Sequence, residues 1–327
     1  MNIKPIKILD CTLRDGGYLN NWDFGADSIE AIMKNLAIAG VDYIECGFLK
    51  YFKTDKNKTF FSDINELENF LLAEQNYTLM VNFGEYDISN FTQCKNKNIK
   101  IRVAFKKHNQ TEALEYISRL KDLNWDVFAN PMSTNTYSNE ELFVLIQELN
   151  KIKPLGVSIV DTLGNMYEKD IVNIFNFIDK ILAPDIWLGF HSHNSLQLSF
   201  SNTKTLLKMG INRTLIIDSC LYGMGRGAGN LCTELIAKYL NDNYNCNYKI
   251  LPLLKTIDED LKPIYQKSPW GYSTPYYIAA INGCHPNYAQ ELVKKNLSNE
   301  EIDRIIKTIP VDNRTSFDKN LLLKLAK

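Results

Sequence analysis

The sequence predicts an α/β protein: a (β/α)8 TIM barrel followed by a small helical C-terminal subdomain. Three observations carry this expectation. Eight short β-rich runs recur along roughly the first 240 residues, close to the usual span of such a barrel. Most gaps between them hold apolar residues at helical spacing. From about residue 245 the rhythm changes to short helical patterns broken by prolines. A doubly wound open sheet is the alternative, but it would leave about two or three of the units unused.

In order, the runs are "IKILDC", "VDYIECGF", "YTLMVNF", "IKIRVAF", "WDVFANP", "LGVSIVDT", "IWLGFHSH" and "RTLIIDSC", starting near residues 6, 41, 77, 99, 125, 155, 186 and 213. "ADSIEAIMKNLAIAG" repeats apolar residues at helical spacing, with Asp27 or Ser28 as its start and Gly40 as its stop. "NQTEALEYISRLKDL", "SNEELFVLIQELNKI", "EKDIVNIFNFIDKIL" and "SLQLSFSNTKTLLKMG" follow the same pattern, while the segment after "VNFGEYD" is shorter and fainter. These divide the chain into a catalytic barrel, 1–243, and a helical subdomain, 244–327, placed to cover the barrel mouth. Its aromatic stretch "SPWGYSTPYY" is a candidate to fold over something, and equally a candidate for packing on the outer helices.

Composition excludes several function classes. The 327 residues carry 37 basic and 38 acidic side chains, a formal charge of −1, so no basic excess marks a nucleic-acid or membrane-surface binder. No run approaches the roughly 18 apolar residues that a membrane span needs. "MNIKPIKILDC" enters a strand-like run without a signal-peptide core. Seven cysteines stand singly with no C-x-x-C, as in a cytoplasmic protein with reduced thiols.

A barrel of this kind places its reactive groups at the carboxyl ends of its strands. There the sequence offers Arg14 and Asp15, Glu45, Asn82, Arg102, Asn130, Asp161 and Thr162, and finally His191 and His193. Of these, Asn82, Arg102, Asn130 and Thr162 are candidate substrate-binding residues. Two of only four histidines are spaced H-x-H, which on a strand puts both rings on one face about 7 Å apart along the backbone. The first and seventh strands both lie near the eighth in a closed barrel, so Asp15 is able to approach the pair. One carboxylate and two imidazoles suffice to hold a divalent cation, with Asn230 as a fourth ligand. Mn²⁺ or Mg²⁺ suits the oxygen-rich part of that shell, and the histidines leave Zn²⁺ or Co²⁺ open.

"LRDGG" after the first strand, "DTLGN" after the sixth, "FHSHN" on the seventh and "GAGNL" after the eighth resemble the DRE-TIM metallolyase superfamily. That group includes 4-hydroxy-2-oxovalerate aldolase, hydroxymethylglutaryl-CoA lyase, isopropylmalate synthase and homocitrate synthase; the likeness is nearest the aldolase branch. The resemblance implies Asp15, His191 and His193 as metal ligands completed by Asn230, Arg14 as the residue that stabilises an enolate oxygen, and Glu45 as the acidic residue ordering the site through Arg14 or water. It implies a metal-dependent aldolase that makes or breaks a bond between a pyruvate-like 2-oxo acid and an aldehyde. A homodimer is the expected assembly.

The chain also departs from that pattern. Tyr18 stands where pyruvate aldolases carry a general-base histidine, and Gly17 where the condensing synthases carry an acid or glutamine. Tyr18, a metal-bound hydroxide and His285 from the C-terminal subdomain are therefore all open as the proton-transfer group. "GMGRGAG" after the last strand is out of place for a dinucleotide site and reads as glycines that let backbone approach substrate. Lys50, Lys106 and Lys107 read as exposed loop lysines rather than imine formers. Claisen condensation of an acyl-CoA, iron-dependent oxygenation and a silent barrel serving as a partner subunit are the remaining alternatives.

Overall fold

In the computed structural model, which describes residues 5–326, eight parallel strands close into a barrel. They are β1 Ile6–Asp10, β2 Tyr43–Leu49, β3 Asn76–Asn82, β4 Ile99–Phe105, β5 Val127–Pro131, β6 Gly156–Asp161, β7 Trp187–Ser192 and β8 Leu215–Ser219. Closure runs through β1, which pairs with β8 (Leu9 opposite Asp218) and with β2 (Leu9 opposite Tyr43). Residues 1–4 of the expected opening run, and Lys327, lie outside the described residues.

Six helices wrap the barrel: α1 Ala26–Ala39, α2 Gln110–Asp122, α3 Asn139–Ile152, α4 Glu168–Ile181, α5 Ser199–Lys208 and α6 Thr233–Tyr244. Each buries an apolar stripe, as α1 does with Ile29, Ile32, Met33 and Leu36. A side chain of that size contributes about 1.5–3 kcal/mol when fully buried. Gly40 stops α1 as expected, but the helix begins at Ala26, so Asp27 lies in its first turn, where a carboxylate favours the helix dipole. Ser138 and Glu141 form a capping box that starts α3. After "VNFGEYD" only a 3₁₀ turn forms, Ile88–Asn90, because "FTQCKNKN" repeats no apolar face for a helix to bury.

The two strand faces have opposite character. Glu45, Arg102 and Asp218 point into the barrel and bond to one another, so Ile101, Val103, Ile217 and Ile44 beside them point to the helices. The aliphatic residues that dominate the strand sequences thus form the layer between sheet and helices, and the barrel interior beneath the mouth holds ion pairs.

One bulge positions Glu45. The β2–β3 register shifts between Glu45 and Phe48, where Gly47 takes φ 149° against the Thr59 carbonyl. A Cβ on Gly47 would lie 1.9 Å from that oxygen.

Beyond α6, Ile250–Thr256, a π-helical turn Ile257–Leu261 and Lys262–Lys267 follow one another, with Leu253, Ile257 and Leu261 buried in the main core. Pro263 has no N–H to donate, which accords with a widened turn just before it. Trp270 of the aromatic stretch joins the same core and donates Nε1 to the Tyr222 carbonyl (2.9 Å). From Thr274 onward five short helices build a second, separate core around Tyr288, Leu292, Ile302 and Ile306. No helix among the described residues is long and apolar enough to cross a membrane.

Replacing Gly47 by Ala should destabilise the protein by about 2–4 kcal/mol, because the backbone has to move away from Thr59. Thermal unfolding followed by circular dichroism checks this; an unchanged midpoint would contradict the close approach.

Candidate functional site

The site gathers at the carboxyl ends of the strands. Cys11 follows β1, and its carbonyl accepts from the backbone N–H groups of Arg14 (3.0 Å) and Asp15 (2.8 Å), turning Thr12–Asp15 into one helical turn over the mouth. Thr12 Oγ1 accepts from the Leu221 N–H (2.8 Å), which ties this turn to the loop after β8. Asp10 takes bonds from the Thr12 N–H (2.9 Å) and Thr233 Oγ1 (2.6 Å), although burial still pushes its carboxyl up to about 6. Asp161 likewise caps the loop after β6 through the Asn165 (3.0 Å) and Met166 (3.2 Å) N–H groups.

The H-x-H spacing does bring the two imidazoles together: their ring centroids are 5.2 Å apart and their planes cross at 82°. Asp15 Oδ2 lies 3.8 Å from His191 Nε2 and 3.9 Å from His193 Nε2. Metal bonds of about 2.0–2.2 Å allow one ion to be shared by donors at that separation. The donor chemistry fits as well. His191 Nδ1 is 3.0 Å from Asp218 Oδ2, which assigns a ring proton to Nδ1 and turns Nε2 toward Asp15. Burial pushes His193 down to about 3 against the pull of Asp15, so this ring is neutral. Burial would raise the Asp15 carboxyl, but the Arg14 guanidinium beside it overcomes that and holds it well below the usual carboxylate range. An ionised oxygen and two imidazole nitrogens facing one point are what a divalent cation binds.

A second metal-competent trio, Cys11, His191 and Asp218, is less suited. Arg102 already fills it, bonding Asp218 and lying 3.6 Å from Cys11 Sγ, and burial holds the Cys11 thiol well above its ordinary value.

Around the Asp15 trio runs a chain of buried charges. Arg14 donates Nε to Glu45 Oε2 (2.7 Å) and Nη1 to Asp15 Oδ1 (2.8 Å). Arg102 donates Nη1 to Glu45 Oε1 (3.0 Å) and Nη2 to Asp218, which in turn meets His191. Arg102, expected on the substrate, is therefore a correction: at 1% exposure it is a strut beneath the site, its guanidinium taken up by two carboxylates. Glu45 has both oxygens engaged, one on Arg14 and one on Arg102, so that of the two routes expected for it, Arg14 or water, its bonds run to Arg14.

Asn230 arrives on the glycine-rich loop after β8. Gly229 at φ 76° brings the chain within reach of the Gly223 carbonyl, which a Cβ would meet at 2.1 Å. The Asn230 side chain then presents nitrogen rather than oxygen to Asp15, donating Nδ2 to Oδ2 at 2.6 Å. Its Oδ1, the atom a metal would use, is buried with no hydrogen-bond partner.

The trio opens into an inner cavity of about 60 Å³, walled by Phe48, Met80, Ala104 and Val160 on its apolar side. Arg14, Asn82, Asn130 and Thr162 also line it. With its amide turned so that the oxygen faces the guanidinium, the orientation that satisfies both groups, Asn130 accepts from Arg102 Nη2 (2.8 Å), and Thr162 Oγ1 accepts from the Ser133 N–H (2.8 Å). Tyr18 stands at the cavity's outer edge with its ring 4.7 Å beneath the Arg226 guanidinium, and burial raises its hydroxyl rather than lowering it. Beyond it lies an outer cleft of about 650 Å³ between the barrel mouth and the C-terminal helices. His285 lines this outer cleft and not the inner cavity; its Nδ1 accepts from the Asn287 N–H (3.3 Å).

Two site residues escaped the sequence reading. Asp218 was hidden inside "RTLIIDSC", where a lone Asp in an aliphatic strand was the signal. Arg226 was passed over among the glycines of "GMGRGAG".

Because Asp218 fixes the His191 ring, Asp218→Asn should weaken Mn²⁺ binding by about 10–100-fold. Titration calorimetry measures this, with Asp179→Asn, which loosens the distant Arg213 pair, leaving the affinity unchanged. Equal affinity in Asp218→Asn would remove Asp218 from the site.

The HMGL-like family profile matches residues 5–256. The chain is 25% identical over 275 residues to 4-hydroxy-2-oxovalerate aldolase of Chloroflexus aurantiacus, covering 82% of this chain and 79% of the relative. It is 26% identical over 302 residues to the same-named protein of Thermomicrobium roseum, covering 86% and 82%. Among solved structures, the N-terminal domain of a Bacteroides vulgatus protein described as an aldolase superposes with a TM-score of 0.76 at 29% identity, covering 91% of this chain and 99% of that one. HMG-CoA lyase from Brucella melitensis shares the fold with a TM-score of 0.62 at 16% identity, covering 81% and 98%. With most of the barrel matched, the chain belongs to the HMGL-like family.

Proposed function

We propose that this chain is a divalent-metal-dependent carbon–carbon lyase, an aldolase acting between a pyruvate-like 2-oxo acid and an aldehyde. The observation that carries the reading is the Asp15–His191–His193 trio at the floor of a cavity lined by Arg14. The relatives named 4-hydroxy-2-oxovalerate aldolase support the same reaction class. Asp15, His191 and His193 would hold the ion, Mn²⁺ or Mg²⁺ by preference for the carboxylate, with Zn²⁺ or Co²⁺ compatible with the imidazoles.

Cleavage breaks the bond between C3 and C4 of a 4-hydroxy-2-oxo acid. The C4 hydroxyl becomes the aldehyde and the bonding pair passes into an enolate; the proton lost from the hydroxyl is matched by the one taken up at C3, so the step consumes no net proton. When bound, the cation polarises the keto group beside the breaking bond. Arg14 adds fixed positive charge on the same oxygen, and its fork is held in plane by Glu45 and Asp15. Phe48, Met80 and Val160 keep the inner cavity apolar on one side, which strengthens those charges. Tyr18, protonated at neutral pH and placed between the two cavities, is positioned to hydrogen-bond the oxygen on C4.

Pyruvate release from 4-hydroxy-2-oxo acids should be abolished by EDTA and restored by Mn²⁺ or Mg²⁺. Arg14→Met should lower kcat by roughly 10²–10³-fold, the usual loss when an oxyanion partner is removed. Borohydride added with pyruvate should leave the protein mass unchanged; a stable adduct would point to a lysine imine and overturn the metal reading.

A further inference from the structure

The outer cleft, about 650 Å³ against about 60 Å³ inside, has the volume of a site for a ligand of substantial size, typically about 300–1,000 Å³. A two-carbon aldehyde would leave most of it to water. Its two walls come from different parts of the chain. Lys106, just beyond β4, donates Nζ to Ser316 Oγ of the C-terminal region at 2.8 Å, so the two walls are tied across the cleft.

The charges in this cleft are unevenly answered. Lys107 is paired with Glu141, and Glu85 with Lys50 at 3.2 Å, so those ions are neutralised by their own neighbours. Among the described residues no carboxylate pairs with Lys106 or with Arg226. Arg226 is stacked over Tyr18 at the boundary with the inner cavity, and its Nε is buried without a hydrogen-bond partner. His285, only 8% exposed, spends Nδ1 as an acceptor, which assigns its proton to Nε2 and makes it a further donor. Against these stands one carboxylate, Asp312, at the exposed rim.

We propose that the aldehyde half of the substrate ends in an anionic group, a carboxylate or a phosphate, held in the outer cleft by Arg226 and Lys106 with His285 as a hydrogen-bond donor. This rests on the aldolase reading and adds the acceptor's chemical class to it. The 2-oxo acid half lies in the inner cavity, the reacting C4 lies near Tyr18, and the charged end reaches the C-terminal wall. The reaction is the same cleavage of C3 from C4 and needs no oxidant or further reactant.

The test uses three 4-hydroxy-2-oxo acids of equal six-carbon length that differ only at C6: hydroxymethyl, carboxylate or phosphomonoester. With Mn²⁺-loaded full-length protein, kcat/KM for pyruvate release should favour at least one charged substrate over the neutral one by tenfold or more, equivalent to about 1.4 kcal/mol. Which of the two is preferred separates carboxylate from phosphate. Lys106→Gln combined with Arg226→Gln should cut that charged-to-neutral ratio by about tenfold, mainly through KM, and Arg226→Lys should recover part of it. In parallel, metal-free protein should bind glycerol 3-phosphate or glycerate, but not glycerol, in titration calorimetry, and the double variant should not. A ratio near one, unaltered by the double variant, would overturn the anionic acceptor while leaving the aldolase intact. No pyruvate from any of the three would instead sink the aldolase reading, and retained calorimetric binding would still uphold the anion subsite.

Discussion

The structure depends on a closed ring of buried charges at the barrel mouth. Asp15 meets Arg14, Arg14 meets Glu45, Glu45 meets Arg102, Arg102 meets Asp218, and Asp218 meets His191, which faces Asp15 again. Three carboxylates and two guanidiniums leave one net negative charge before the imidazoles are counted. Taking such groups out of water costs several kcal/mol each unless the geometry returns it, and removing any one member strands its neighbour. A stable fold had simpler ways to fill this space, since aliphatic packing in place of a buried ion pair is often neutral or better. The ring makes sense as a frame for charge: a divalent cation turns the net −1 into +1, and a substrate carboxylate brings it to zero.

The ring also explains why the fold and the site are one problem. β1, β2, β4, β7 and β8 each contribute a member or lead directly into one, so the ring closes only if the barrel does. The bulge at Gly47 follows Glu45 by two residues and turns the chain just past the point where that carboxylate must bridge both arginines. Outside the barrel, the C-terminal helices have their own core, and they contribute one wall of the cleft that leads to the ring.

Much of this was legible in the sequence, for specific reasons. The barrel was visible because eight strand runs and their helices each repeat a period of their own, and Gly40 marks a helix end by chemistry alone. His191, His193 and Asp15 were visible because strand spacing and strand-end position put them together before any coordinates. Arg102 and Asp218 were harder: both sit mid-strand, and only the closed barrel says which face points inward. Asn230 was expected as a fourth ligand and lies beside Asp15, but which amide atom meets Asp15 was not legible, since it depends on Met224 and Cys220 beside it. Arg226 lay among glycines, and nothing local tells that the loop lays it over Tyr18.

The central claim is that one cation is shared by Asp15, His191 and His193. Anomalous diffraction from crystals soaked in Mn²⁺ tests it most directly. The account predicts a single strong peak at about 2.0–2.3 Å from Asp15 Oδ2 and the two Nε2 atoms, with Asp218 still on His191 Nδ1. A peak on Cys11 and Asp218 instead, or none at the paired imidazoles under saturating Mn²⁺, would contradict it.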